Sequence, residues 1–394
     1  MKIKKLVRNA ARSAKHLAEK AFAGAAQTLE NNRALLSYRA KEQFMRDKLR
    51  ALPQKELTAG EIREIDAYWA QYGVRVRDHS SFRWYYGSTG LRDPRFLPLE
   101  YYFKMVLPYY NRASFTDAYK DKNAFDTFLS PDCFPKTVVK RISGDFYGPD
   151  GQFLCRGPGG EAVLALLMRH RQLIVKNAVD SGQGKNVRKY EISGPEDGER
   201  LLAEWSGSQD YLVQEVVRQH PFFAQFNESS VNIMRINSWY HDGQVTISTP
   251  VIRFGMPGFA TDVCRIDGEE IIRMVGLTDD GFIRDEIVHM NGKREPLSNV
   301  VPEPIVQVPA WDRVLELIRR SAAKLPHFHL IGWDVTVDED ERPVVIEYNI
   351  AFPGPYPSQM TGGPMWGEHT DELLSFLRDP ENQKKYIHRR YRLK

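Results

Sequence analysis

The sequence contains little cysteine. Cys133, Cys155 and Cys264 are spread over 394 residues, and no two of them form a CxxC pair. A small, odd number without paired spacing argues against a disulfide framework and against a thiolate metal site, and it is typical of a reducing compartment. We therefore expect these side chains to fill the core rather than to act as nucleophiles.

A long apolar run is also missing. The longest, Ala162–Met168, ends at Arg169, far short of the roughly 20 apolar residues that a membrane helix needs. Near the N-terminus Lys and Arg interrupt the apolar residues every few positions, which is not the continuous apolar segment of a signal peptide. These features together predict a cytoplasmic protein.

Charge of one sign is not in excess. The formal net charge is +4, with 42% hydrophobic and 27% charged residues, so the composition is that of a globular protein and does not indicate a nucleic-acid partner. A chain of this length can form two or three domains with cores of their own. Nothing in the composition indicates an oligomeric state.

The positive charges concentrate at the two ends of the chain. Residues 1 to about 50 have apolar residues at helical spacing with many Lys and Arg among them, which predicts a basic amphipathic helix. One hypothesis is peripheral contact of this helix with the anionic inner face of a membrane. The alternative is a helix packed on its own protein, which the many alanines on the apolar face favour.

The segment Leu330–Gly354 has the most informative pattern. Two apolar, β-branched stretches, Leu330–Val337 and Val344–Ile350, flank the polar residues 338–343, which predicts a hairpin. If the hairpin is symmetric about a six-residue turn, Val337 pairs with Val344.

That register places two carboxylates opposite each other. Asp334 then pairs with Glu347, and Asn349 lies on the same face because side chains alternate along a strand. Like charges across a strand pair destabilise it unless a cation intervenes. Two carboxylates and an amide oxygen are ligands that suit Mg²⁺, although acidic residues on a solvated edge hairpin would give the same pattern.

A second pattern indicates phosphate binding. The short strand Leu173–Lys176 ends in a charge and continues into a glycine-containing loop that includes Ser181, Gly182, Gln183 and Gly184. Glycines let backbone N–H groups converge on phosphate oxygens, and the lysine adds a positive charge. The GxxxxGK[ST] motif of P-loop proteins is absent, and an ordinary hairpin turn is the alternative.

In their order and spacing, these patterns resemble the ATP-grasp superfamily. Asp334, Glu347 and Asn349, followed by Pro353-Gly354, resemble its magnesium-binding end. Residues 61–111, with their tryptophans, glycines and tyrosines, resemble the sugar-transfer associated branch of the superfamily. Asp121-Lys122-Asn123-Ala124-Phe125 resembles the DK-x-x-F helix of that branch.

The resemblance implies roles for further residues. Lys122 and Lys176 would contact ATP phosphates, and the strand with Gln214, Glu215, Val216 and Val217 would be the hinge between two lobes, whose backbone binds adenine. Some ATP-grasp ligases carry an arginine two residues before the first metal carboxylate, but Gly332 occupies that position here.

Two strand arginines are the candidates to replace the missing one. We expect Arg235 or Arg253 to neutralise the transferring phosphoryl group, together with Lys176; surface salt bridging is the alternative for each arginine. After the second arginine, relatives have an Asp-Asn pair where this chain has Asp262-Val263. We therefore expect the part of the site that binds the acceptor substrate to differ from that of relatives.

The resemblance implies an α+β ATP-grasp fold in which two mixed α/β lobes enclose ATP. The expected organisation is a helical N-terminal region (1–112), an N-terminal lobe with the glycine-rich loop (113–214), a C-terminal lobe with the metal site (215–378) and a basic tail (379–394). The tail could bind anions or lipid, or be solvated.

The expected activity is ATP- and Mg²⁺-dependent ligation of a carboxylate to an amine through an acyl phosphate. The association of the family with sugar transfer suggests a free or carbohydrate-linked substrate, a uronic acid or an amino acid, in surface polysaccharide assembly. A kinase that phosphorylates a sugar hydroxyl and a nucleotide-binding module without turnover are the alternatives.

Overall fold

The computed structural model describes residue 43 and residues 55–179, 187–207, 209–259, 261–266 and 269–383. The chain divides into two compact units, Met1–Ala51 and Leu52–Lys394, and every described residue except Gln43 lies in the second. The predicted N-terminal helix and residues 384–394 of the predicted tail lie outside the described residues.

Helices in the described part of the chain are short, and the longest has 13 residues. The α-helices are α1 (Ala59–Ala70), α2 (Ser80–Thr89), α3 (Leu99–Tyr101), α4 (Leu107–Tyr110), α5 (Thr116–Tyr119), α6 (Phe125–Phe128), α7 (Glu161–Leu167), α8 (Pro195–Trp205), α9 (Pro221–Ala224), α10 (Trp311–Ala323), α11 (Tyr356–Gly362), α12 (Thr370–Leu374) and α13 (Pro380–Gln383). A π-helical turn, Tyr102–Val106, joins α3 to α4; single 3₁₀ turns span Ala113–Phe115, Lys122–Ala124, Pro131–Cys133, Leu297–Asn299, Gly367–His369 and Ser375–Arg378.

The first large sheet is antiparallel and six-stranded. Its order is β3-β2-β1-β6-β4-β5. The strands are β1 (Thr137–Ile142), β2 (Asp145–Tyr147), β3 (Phe153–Arg156), β4 (Gln172–Asn177), β5 (Val187–Glu191) and β6 (Tyr211–Glu215). Apolar residues on one face pack against α7 and α8 to form a core of their own, with Val139, Val175, Leu201 and Val213 fully buried.

The second large sheet has eight antiparallel strands. Its order is β14-β13-β12-β9-β7-β15-β16, with β8 paired to β7. The strands are β7 (Ile233–His241), β8 (Gln244–Ile247), β9 (Val251–Phe254), β12 (Arg273–Leu277), β13 (Ile283–His289), β14 (Arg294–Pro296), β15 (Leu330–Val337) and β16 (Pro343–Asn349); β10 (Cys264–Ile266) and β11 (Glu269–Ile271) form a separate two-stranded sheet.

One face of the eight-stranded sheet is apolar and the other is polar. Ile331, Trp333 and Val335 of β15 join Val314 and Ile318 of α10 in the larger core. Because side chains alternate along a strand, the residues between them point to the opposite face. This alternation places the charged residues of the neighbouring strands together on the polar face.

The N-terminal segment of the second unit is rich in buried aromatic side chains. Helix α1 begins at a capping box, in which the Thr58 hydroxyl accepts from the Glu61 N–H and the Glu61 carboxylate accepts from the Thr58 N–H. Trp69 and Trp84 are fully buried, and α2 packs on α11, which in turn packs on β9 and β12.

The predicted hairpin forms, but its predicted symmetric turn is wrong. Val337 pairs with Pro343 rather than with Val344, and the register shifts by one residue between Asp334 and Val335. Ile346 is the extra residue of this β-bulge, which restores the predicted pairing of Asp334 with Glu347. A six-residue turn and a five-residue turn plus a bulge place the carboxylates in the same register.

The predicted domain boundaries stay predictions. The six-stranded sheet lies within residues 137–215 and the eight-stranded sheet within residues 233–349. In the described part of the chain, no helix combines the length and the apolar character that crossing a bilayer requires.

Candidate functional site

Asp334 is held by a bidentate ion pair. Arg235 lies opposite it on β7, and its Nε and Nη2 donate to Asp334 Oδ1 and Oδ2 at 2.6 and 3.0 Å. Asn349 Nδ2 donates to Asp334 Oδ2 at 3.2 Å. The three predicted metal ligands therefore lie together, because Glu347 pairs with Asp334 across the strands.

Glu347 faces two lysines from the other side of the site. Lys122 Nζ donates to Glu347 Oε1 at 3.1 Å, and Lys176 Nζ lies 3.4 Å from the Ile346 carbonyl oxygen, which accepts from it. Lys122 is 5% exposed and Lys176 is 7% exposed. Lys176 lies on β4 of the six-stranded sheet, so this contact joins the two large sheets.

Burial weakens the basicity of Lys176. Desolvation, with a smaller effect from the positive charge of Lys122, lowers the pKa of Lys176 to about 8, while the Glu347 carboxylate acts in the opposite direction. An anion that entered this space would favour the charged form of the lysine.

The donor set at Asp334, Glu347 and Asn349 fits Mg²⁺ in type. Two carboxylates and an amide supply hard oxygen atoms. Within the described residues there is no group of three or more His, Cys, Asp or Glu side chains that could form an all-protein metal cage. Two carboxylates and one amide leave the rest of an octahedral coordination shell to water or phosphate oxygens, which is how Mg²⁺ is commonly bound.

A cleft of about 1020 Å³ lies beside the lysines. Its lining includes all four predicted hinge residues, Gln214–Val217, together with Lys122 and Lys176 and the apolar side chains Phe134, Leu212, Val344 and Ile346. Val216 and Val217 come after the last residue of β6. A flat apolar slot beside extended backbone suits an adenine ring.

No pattern in the sequence indicates the partners of Glu215. His170 Nδ1 lies 3.4 Å from Glu215 Oε1, and Lys136 Nζ lies 3.9 Å from Glu215 Oε2. Both side chains come from segments remote in sequence, so only the folded chain brings them to the rim of the cleft. His220 Nδ1 accepts from the Phe222 N–H and caps the start of α9.

The two predicted arginines lie on the same face of adjacent strands. Arg235 pairs with Val251, and Arg253 pairs with Ile233. Arg253 Nη2 lies 2.7 Å from Asp262 Oδ2. In the sequence, Asp262 stands out only because relatives have an Asp-Asn pair where this chain has Asp262-Val263. Burial raises the pKa of Asp262, Arg253 lowers it, and the Asp334 carboxylate raises it.

The structure gives a steric reason for the missing arginine at position 332. A Cβ at Gly332 would lie 3.2 Å from Asn237 Oδ1, 3.3 Å from Pro353 Cα and 3.4 Å from Arg235 Nη1. Arg235 already occupies the space above Gly332, so there is no room for a second long side chain.

The predicted glycine-rich loop lies outside the described residues, and this includes Ser181, Gly182, Gln183 and Gly184. The strand that leads to the loop, β4, ends at Asn177. Their roles, and those of the other predicted site residues, stay predictions.

Comparison with known proteins identifies the family. The profile described as "sugar-transfer associated ATP-grasp" matches residues 155–370, more than half of the chain. The chain belongs to this family, and its fold is the α+β ATP-grasp fold, as the resemblance implied. A search of curated proteins finds no match.

Solved structures with similarity to this chain are distant. The ATP-grasp ligase PsnB in complex with a minimal precursor is 14% identical, with a TM-score of 0.39, over 68% of this chain and 62% of that one. The D-alanine-D-alanine ligase from Coxiella burnetii is 13% identical, with a TM-score of 0.37, over 70% and 61%. The chain thus spans about three fifths of these proteins.

Proposed function

We propose that this protein is an ATP-dependent carboxylate–amine ligase. The observation that carries the proposal is the convergence of Asp334, Glu347 and Asn349 with Lys122, Lys176 and Arg235 beside a cleft that suits a nucleotide. Such a set of charges neutralises polyphosphate and holds it in line with an acceptor. Family membership supports the nucleotide half of this proposal.

In the proposed reaction, a substrate carboxylate attacks the γ-phosphorus of ATP, the bond from that phosphorus to the β,γ-bridging oxygen breaks, and ADP leaves as the acyl phosphate forms. Lys122 and Lys176 hold the phosphate oxygens, while Arg235 and Arg253 neutralise the charge on the transferring group. When bound at Asp334, Glu347 and Asn349, Mg²⁺ supplies Lewis-acid screening of the phosphates. An amine then displaces phosphate from the acyl phosphate, so no protein nucleophile is required.

For the substrate we propose a small or carbohydrate-linked carboxylic acid, such as a uronic acid or an amino acid, in surface polysaccharide assembly at the cytoplasmic side of a membrane. The description of the family associates it with sugar transfer, and this association supports the carbohydrate-linked substrate. Contact of the basic N-terminal segment with the membrane is part of this proposal.

The decisive experiment traps the acyl phosphate. The protein is incubated with Mg-ATP, a panel of uronic and amino acids, and hydroxylamine, and both hydroxamate and ADP are measured. Hydroxamate that depends on one acid supports ligation and identifies the carboxylate substrate. ADP with a phosphorylated sugar and without hydroxamate would replace the ligase by a kinase that uses the same nucleotide site.

A further inference from the structure

Beyond the predicted arginines, the polar face of the eight-stranded sheet continues to Asp262. Across the strands β16, β15, β7 and β9 the order is Glu347, Asp334, Arg235 and Arg253, and Asp262 forms an ion pair with Arg253. Neighbouring strands are about 4.8 Å apart, so Asp262 lies several strand spacings from Glu347, away from the nucleotide cleft.

The loop that carries Asp262 is built on a close backbone approach. We call residues 255–259 and 261–264 the Asp262 loop. A Cβ at Gly255 would collide with the Thr261 carbonyl oxygen, so the loop folds back on itself only because position 255 has no side chain. Cys264 Sγ accepts from the Met256 N–H at 3.1 Å and closes the loop.

Side chains from outside the Asp262 loop hold it, two from the turn before β7 and one from β12. Asn227 Nδ2 donates to the Met256 carbonyl oxygen at 3.2 Å, and Ser229 Oγ accepts from the Gly258 N–H at 2.9 Å. The Arg273 guanidinium donates to the Gly255 carbonyl oxygen. These three anchors hold the backbone of the first half of the loop, and the ion pair with Arg253 holds the Asp262 carboxylate.

The position of Asp262 matches the acceptor side of the proposed reaction. With the phosphoryl group between the metal ligands and the two arginines, a nucleophile must approach from the end of the row that is remote from the nucleotide. A carboxylate there attracts a cation and repels an anion. The Asp262 side chain keeps 18% of its surface exposed, so it is not sealed from a ligand.

We propose that Asp262 binds the ammonium group of the acceptor and removes a proton from it, an inference that rests on the proposed ligase function. The free amine then attacks the carbonyl carbon of the acyl phosphate. A C–N bond forms and the bond from carbon to the phosphate oxygen breaks. Of the three ammonium protons, one stays on the amide, one leaves through Asp262 to solvent and one leaves with phosphate.

The test compares a protonated nucleophile with one that needs no base. Wild type, Asp262→Asn and Asp262→Glu are assayed at pH 7 with Mg-ATP and the acid that gives hydroxamate with wild type. Hydroxylamine, largely uncharged at this pH, is compared with protonated amines: methylamine, glycine and L-lysine. The control is Asp285→Asn, which alters an exposed carboxylate on β13.

We expect Asp262→Asn to lose amide formation with the protonated amines by roughly 100-fold or more, while hydroxamate formation stays within about threefold of wild type. Retained hydroxamate also demonstrates that the variant is folded. Asp262→Glu, which keeps the charge that faces Arg253, should show the same selective loss to a smaller extent, and it provides the test if the asparagine variant does not fold. The Asp285→Asn control should change neither rate.

Three results would overturn the proposal. Asp262→Asn could form amide at the wild-type rate, could lose both products equally with an unchanged melting temperature, or wild type could form hydroxamate but no amide with any protonated amine. If wild type forms no hydroxamate with any acid, the ligase function itself fails and the role of Asp262 fails with it. The hydroxamate control on wild type therefore distinguishes the two failures.

Discussion

At Gly332 the backbone of β15 lies so close to Asn237, Pro353 and Arg235 that even a methyl group would be crowded. The guanidinium that pairs with Asp334 comes instead from the neighbouring strand. Arg235 is a candidate from the sequence alone, because the family's arginine is missing at position 332. The reason for glycine at that position is not visible in the sequence, because the crowding comes from β7 and from Pro353.

We predict that Gly332→Ala lowers ATP turnover by roughly 10- to 100-fold, because a displaced Arg235 no longer holds Asp334 in place. The effect is measured as the rate of ADP formation in the presence of hydroxylamine and the acid that gives hydroxamate with wild type. Gly207→Ala is the matched control, since a Cβ at that position meets no atom within 4 Å. Wild-type turnover in Gly332→Ala would argue against the positioning role of Arg235.

If Glu347 is a metal ligand, as we propose, Glu347→Ala should cost about 3 kcal/mol or more of transition-state stabilisation, a rate loss of roughly 100-fold or more. Steady-state ADP formation at varied Mg²⁺ concentration measures it. Glu341→Ala changes an exposed carboxylate of the same hairpin, paired with Arg313 at 2.7 Å, and should leave turnover intact. Full activity in Glu347→Ala would show that the metal assignment is wrong.

At the scale of elements, local signals predicted more than long-range ones. The capping box joins Thr58 and Glu61, residues three apart, so its pattern is visible in the sequence itself. The bulge at Ile346 depends on how β15 and β16 pair, and no residue pattern within the hairpin announces it. Likewise, the partners of Glu215 come from other strands and turns, so the hinge strand could be predicted but not its ion pairs.

The junction of α1 and α12 depends on pH. The Tyr68 hydroxyl donates to Asp371 Oδ1 at 2.8 Å, and Tyr72 donates to the same oxygen. These donors, Tyr72 foremost, lower the pKa of Asp371. A lowered pKa stabilises the fold above the unfolded-state value of about 3.9, and this contribution is lost as the pH falls through the lower folded-state pKa.

Asp371→Asn should therefore lower the melting temperature at pH 6 to 7, and its difference from wild type should shrink as the pH falls below about 4. Melting curves between pH 3 and 7 provide the measurement. Glu368→Gln, at an exposed position just before α12, controls for the loss of one negative charge. A difference that stays constant over this pH range would contradict the assignment.

At the scale of the whole molecule, the two large sheets meet at a few specific contacts. Lys176 of the first sheet donates to the Ile346 carbonyl oxygen of the second. The turn of the hairpin also contacts the chain directly after the predicted hinge residues. There the Glu339 N–H donates to the Arg218 carbonyl oxygen at 2.9 Å. The resemblance implied two lobes around one site. It did not indicate these contacts, because they join residues that are far apart in sequence.

Lys176→Met should raise the melting temperature of the nucleotide-free protein at pH 7 by about 1–3 °C, because it removes a buried charge. The gain should shrink as the pH rises above about 8 and vanish above the unfolded-state pKa of about 10.4, where the lysine is neutral in folded and unfolded protein. The same variant should lose stabilisation by ATP, measured by thermal shift. Lys189→Met, at an exposed position on β5, should retain it.

The bulge at Ile346 has a consequence for how such a chain can evolve. Deleting one residue between Asp334 and Glu347 is harmless if it removes the bulge, because the carboxylates keep their register. A deletion that left the bulge in place and shortened the strand would turn Glu347 toward the apolar core. Insertions and deletions in related sequences should therefore concentrate in the turn at residues 338–342. Where the strands themselves change length by one residue, the bulge should be gained or lost with that change.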